Sequence, residues 1–242
     1  MKEKIKNEIN LLKQNEDKKL NLGILFATII LFIYCYFGSF SFFEQHFSHI
    51  NNINYWKIIY HNLMAFLLFF VIGVIYTKFI MKQKLLNFGI GVGKAKLGLK
   101  IGLIATPIAI LCGLTTIADG QMVATYPLVD FAVYGEWYYI LIYFLSYFLY
   151  YLGWEYLFRG LILNSCKEKC GVVASLLITT LISALIHTSI GAFGKPMIET
   201  LSAIPAGLIF GYITYKTNSI YCGLFLHMLV GFSTDILIFL IV

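Results

Sequence analysis

The sequence predicts an all-α protein, a polytopic transmembrane helix bundle of about seven spans. Three observations carry that prediction. Of 242 residues, 60% are apolar and only 12% are charged, where a soluble domain carries about 25% charged residues. Uncharged runs of roughly 18 or more residues recur, the length a helix needs to cross a hydrocarbon core. The basic residues fall in alternate connections between those runs, the pattern of a chain threaded repeatedly through a bilayer.

The elements follow in order. Residues 1–21 hold six lysines and are expected as a basic, cytoplasmic N-terminal segment; residues 22–242 form the transmembrane helical domain. Within residues 1–20, Ile5, Ile9 and Leu12 stand in a polar background, which suits either a surface-lying amphipathic helix or a solvated tail. The run from Leu22 to Phe40 is too long for a signal-peptide core and has no small-x-small site after it, so it reads as a retained first span. Further spans are expected at 58–77, 101–117, 137–164, 171–190, 198–215 and 219–241. The segment from Phe88 to Gly98 is Gly-rich. No strand precedes it and the dinucleotide-binding spacing fails at Lys94, so it is not a phosphate loop but a flexible connection at the interface.

Charge sets the expected orientation. Six lysines precede residue 22, six lie in 78–100, Arg159, Lys167 and Lys169 end the fourth span, and Lys216 ends the sixth, which places 16 of the 18 basic residues on one side. Lys57 and Lys195 lie on the other. The expectation is an N-terminus in the cytoplasm and a C-terminus outside. The net charge of +6 therefore serves topology and contact with the lipid bilayer; no nucleic-acid-binding motif is present. The five cysteines form no C-x-x-C pair, which argues against zinc fingers and a disulfide framework.

Polar residues inside the spans carry the functional signal, because charge at membrane depth is costly and lines sites or cavities. Glu155 and Arg159 are four apart and share a helix face. His187 ends the fifth span, with Ser183 and Thr180 on its face. His227 lies on the seventh, with Gly231 and Asp235 at four and eight residues. An ion pair that merely packs one helix accounts for Glu155 and Arg159 but not for the two histidines. If spans four and five form a hairpin, Glu155 and His187 are equidistant from residue 171, in the best turn candidate of the region, Lys167-Glu168-Lys169-Cys170-Gly171. Both then sit about 24 Å from the turn, and His227 meets them if the hairpin projects about 10 Å beyond the membrane. Glu, His and His fit two chemistries: water activated by a carboxylate and a His, with the second His at the oxyanion, or zinc held by Glu155, His187 and His227. The H-E-x-x-H helix of common zinc proteases is absent, which favours the cofactor-free chemistry.

This pattern resembles the CAAX prenyl protease 2/bacteriocin-processing family of intramembrane proteases, also called the Abi family. Its spans carry E-E-x-x-x-R, then F-x-x-x-H, then H-x-x-x-N or a small residue. Glu155 and Arg159 match the first motif, with Gly160 after them; His187 matches the second and His227 the third. The resemblance covers about residues 130–242. It implies an intramembrane endopeptidase acting on a membrane-associated peptide, prenylated or of leader or bacteriocin type, with Glu155, His187, His227 and Arg159 as catalytic residues. Three positions depart from it. Trp154 stands where the family has its first, water-activating Glu, Ser183 replaces the Phe, and Gly231 the Asn. Either Glu155 takes over the base, or Glu199 or Asp235 enters the site, or the chain is a catalytically inactive homologue serving membrane binding, immunity or assembly. A small transporter or channel is a weaker reading, since no inverted repeat or paired broken helices appear.

Overall fold

The structure is a computed structural model that describes residues 2–5, 18–188 and 194–241. Residues 2–5 are helical; most of the expected amphipathic N-terminal helix, Ile9 and Leu12 included, lies outside the described residues, as does the end of the fifth span beyond residue 188. Among the described residues nine longer helices follow, besides a 3-10 turn at Leu85–Phe88: α1 (Lys18–Phe37), α2 (Phe40–His46), α3 (Ile53–Ile80), α4 (Ala95–Thr116), α5 (Gly120–Thr125), α6 (Trp137–Glu155), α7 (Leu163–His187), α8 (Met197–Thr217) and α9 (Tyr221–Ile241). A π-helical turn, Tyr156–Ile162, joins α6 to α7. No strand occurs among the described residues.

Among the described residues, six continuous helices are long and apolar enough to cross a membrane. The longest, Trp137–His187, contains a non-helical residue, Gly171, at φ 79° and ψ 164°. That conformation is open only to glycine, and it turns one helix into two spans. The chain is thus a multi-pass membrane protein with seven crossings, and the turn falls where the hairpin geometry puts it. From Trp137 to Cys170 the helix is about 50 Å long, more than the roughly 30 Å hydrocarbon core, so the hairpin tip stands clear of it.

Some boundaries shift. The first span starts at Lys18 rather than 22 and the second at Ile53 rather than 58. In both cases a lysine is carried into the helix by an acidic partner, Lys19 by Glu168 (2.7 Å) and Lys57 by Glu44 (2.6 Å). The Gly-rich connection is also tighter than expected. Gly89 accepts from the Ile220 amide, the Lys94 amide donates to the Thr217 carbonyl, and Phe88 is fully buried. Together these contacts bring the start of α1, the 81–94 connection, the Gly171 turn and the α8–α9 turn to one end of the bundle. That end collects the lysines.

The core forms where α6 and the π turn cross α1 and α3. Phe26, Tyr34, Phe69, Trp154, Phe158 and Leu161 pack there. Gly153 lets α6 approach α3 directly: a Cβ at that position would lie 2.7 Å from the Ala65 carbonyl oxygen. His61, not singled out by the sequence, ties α3 to α1 through the Tyr34 hydroxyl (2.8 Å) and the Gly38 carbonyl (2.8 Å).

Candidate active site

On α6, Tyr143, Tyr147, Tyr151 and Glu155 recur every four residues and share one face. On α9, His227, Gly231 and Asp235 do the same. The two helices run antiparallel, so the stripes meet rung by rung. His227 Nδ1 is 2.8 Å from Glu155 Oε1. The Tyr151 ring lies on the His227 ring at 4.3 Å, and its hydroxyl occupies the space where a side chain at 231 would begin. Tyr143 donates to Asp235 Oδ2 at 2.5 Å. The stripe spans about 18 Å along α6.

Glu155 is wholly buried and Arg159 nearly so, at 0% and 3% exposure. Their side chains approach to 3.3 Å, Nη1 to Oε1. Arg159 sits in the π turn, a local widening frequent at functional sites, with the Phe158 and Phe210 rings 5.8 and 6.0 Å from its guanidinium. Among the described residues the other carboxylate oxygen, Glu155 Oε2, has no hydrogen-bond partner, and neither has the buried Thr214 hydroxyl of α8. Both flank Gly223: a Cβ there would lie 3.0 Å from Glu155 Oε2 and 3.6 Å from Thr214 Oγ1. Glycine at this position leaves room for the carboxylate.

His187 ends α7. Its Nδ1 lies 2.6 Å from the Ser183 carbonyl. A carbonyl only accepts, so Nδ1 carries the proton and Nε2 holds the lone pair. The ring stands edge-on to Trp154, centroids 5.2 Å apart and planes at 81°. Trp154 itself is buried among Phe69, Tyr150 and Phe158. Glu155, Arg159 and His227 are therefore joined directly, whereas His187 is joined to the residue before them. No hydrogen bond links His187 to Glu155 among the described residues. Nor, among those residues, does any group of three or more His, Cys, Asp or Glu side chains converge as metal ligands, the Glu155, His187 and His227 set included.

The alternative carboxylates are otherwise engaged. Glu199 accepts from the Tyr126 hydroxyl (2.8 Å) and pairs with Lys195 (3.3 Å), whose ammonium also reaches Tyr126. Asp235 belongs to the tyrosine stripe; its Oδ1 is buried and has no partner among the described residues. Tyr126, Tyr143, Tyr151 and Thr214 were not legible as site residues one at a time. The four-residue spacing of the tyrosines ahead of Glu155 was the available signal.

Fold and site define a class: a multi-pass helical membrane protein with a buried Glu–Arg–His cluster and a second histidine on the neighbouring span. Residues 136–233 match the family model of type II CAAX prenyl endopeptidase Rce1-like proteins. The matched segment runs from the start of α6 into α9 and holds Glu155, Arg159, His187 and His227. It agrees with the resemblance read from the motifs, and the matched family is one of peptidases. Comparison with curated proteins and with solved structures gave no match.

Proposed function

We propose that this protein is an intramembrane endopeptidase of the CAAX type, cleaving a membrane-associated peptide of the prenylated or leader class. The observation that carries this reading is the Glu155–His227 contact, backed by Arg159, inside the family-matched region. The base moves from Glu155 to His187, because Glu155 is fully buried with one oxygen already given to His227. His187 holds its lone pair on Nε2 and takes a proton from water as the water oxygen attacks the peptide carbonyl. His227, in its doubly protonated form, keeps Nδ1–H on Glu155 and donates from Nε2 to the developing oxyanion. Glu155, Arg159 and His227 then carry one net positive charge between them, which the oxyanion neutralises. His187 finally returns its proton to the leaving amine. No metal takes part in this scheme. The basic end of the bundle faces the cytoplasm, with the N-terminus inside and the C-terminus outside.

A second reading rests on Trp154. An indole covers His187 where the family places a carboxylate, which suits a catalytically inactive homologue that binds its peptide without cutting it. The purified protein in lipid bilayers, offered a panel of prenylated and leader peptides, separates the two. The peptidase reading expects cleavage by the wild type and its loss in His187→Ala and Glu155→Gln. Absence of cleavage across the panel, with peptide binding retained, supports the second. Cleavage that survives both substitutions removes the site assignment.

A further inference from the structure

We infer that a groove between α4 and α9, on the lipid-facing side of the bundle, binds an anionic phospholipid, with its headgroup at Lys94 and one acyl chain along α4. The cavity has a volume of about 350 Å³. Along α4 it is lined from Ala95 to Thr106, with 98, 102 and 106 one turn apart on a single face, which extends it about 16 Å. Its body is apolar: Leu99, Leu103 and Phe225 wall it. The glycines at 98 and 102 form a floor that close packing does not require, since a Cβ at either would sit 3.7 to 4.0 Å from its nearest neighbour.

The mouth is electropositive for three separate reasons. Lys94 lies there, exposed. The N-terminus of α4 begins at Ala95 and that of α9 at Tyr221, and both residues line the cavity. Neither helix has an acidic residue in its first turn, so no carboxylate offsets either dipole; at α9 the Ser219 hydroxyl accepts from the Tyr221 amide. The mouth also lies at the lysine-rich end of the bundle, where Lys96 and Lys100 follow within six residues. A long apolar shaft capped by a small positive mouth fits an amphiphile with a phosphate head. It does not fit a free inorganic anion, which has no use for the shaft, or a zwitterionic lipid, whose own cation faces Lys94. The groove lies on the opposite face of α9 from Gly223 and His227, so the inference stands whether or not the chain is a peptidase.

Native mass spectrometry and thermal unfolding of the purified full-length chain test it. The probes are dioleoyl phosphatidylglycerol, dioleoyl phosphatidylcholine and inorganic phosphate. The expected result is one retained phosphatidylglycerol per chain and a raised melting temperature, neither of which the other two probes reproduce. A basic residue near an anionic headgroup contributes about 1 kcal/mol, so Lys94→Gln should weaken retention about fivefold. This substitution is on an exposed side chain and leaves the bundle intact. Gly102→Leu fills the shaft and should abolish retention while Lys94 is still present. Equal retention of phosphatidylcholine, retention unaffected by both substitutions, or equal protection by inorganic phosphate overturns the inference.

Discussion

The Trp154 indole and the His187 imidazole meet edge to face, 5.2 Å apart, and are equidistant from the Gly171 turn to within one residue. The contact fixes the register of the α6–α7 hairpin and covers the base of the proposed reaction. Trp154→Glu places a carboxylate on that ring. The expected outcome is a peptidase rate raised about 10²-fold or more, the usual contribution of a positioned base. It comes with a lower melting temperature, because a large buried aromatic is lost at a cost of about 3–5 kcal/mol. Cleavage assays in bilayers beside thermal scans read both. An unchanged or lower rate in a folded Trp154→Glu protein argues against the base assignment.

Glu155 and Arg159 are a buried pair, so breaking one side leaves a charge with no solvent. Arg159→Met and Glu155→Gln should each destabilise the bundle by about 3–5 kcal/mol, because each leaves a buried charge without its partner. The double variant should recover part of the Arg159→Met loss. A double-mutant cycle on unfolding free energy reads the coupling; additive losses would show that the 3.3 Å approach carries no pairing energy.

Two glycines separate packing from conformation. Gly153→Ala pushes a methyl against the Ala65 carbonyl, and backbone cannot move aside cheaply; overpacking of this kind costs about 1–3 kcal/mol. Gly171→Ala meets no atom within 4 Å and is penalised only by its backbone angles, about 1–3 kcal/mol. A Gly153→Ser protein should be worse than Gly153→Ala, whereas Gly171→Asn should lose about as much as Gly171→Ala, since the tolerance of Asn for positive φ belongs to the left-handed helical region and not to ψ 164°. Melting temperatures of the four proteins check the pattern.

Much of this was legible in the sequence because a membrane span has only depth and face to specify. Depth gave the Gly171 turn and put Glu155 level with His187. Face gave the pairing of Glu155 with Arg159, and the small and polar stripe of His227, Gly231 and Asp235. The rotation of each helix about its axis against its neighbours was not legible. That rotation directs Glu155 to His227 rather than to His187 and fills the space above Gly231 with the Tyr151 hydroxyl. It also aims Thr214 at Gly223. The Gly-rich connection misled for a related reason: its glycines allow close contact with Ile220 and Thr217 as readily as they allow freedom.

Cys170 gives the orientation a direct test. It is exposed and stands at the tip of the α6–α7 hairpin, one residue before the turn. The Lys19–Glu168 bridge (2.7 Å) fixes this tip on the same side as the start of α1, so one label reports both. A variant keeping Cys170 alone, with the other four cysteines changed to serine or alanine, should react with a membrane-impermeant maleimide in inverted vesicles and stay unreacted in intact cells. The positive-inside distribution of 16 basic residues demands that result. Labelling in intact cells would place the lysine-rich end outside. The phospholipid groove at Lys94, which opens at the same end, would then draw its ligand from the outer leaflet.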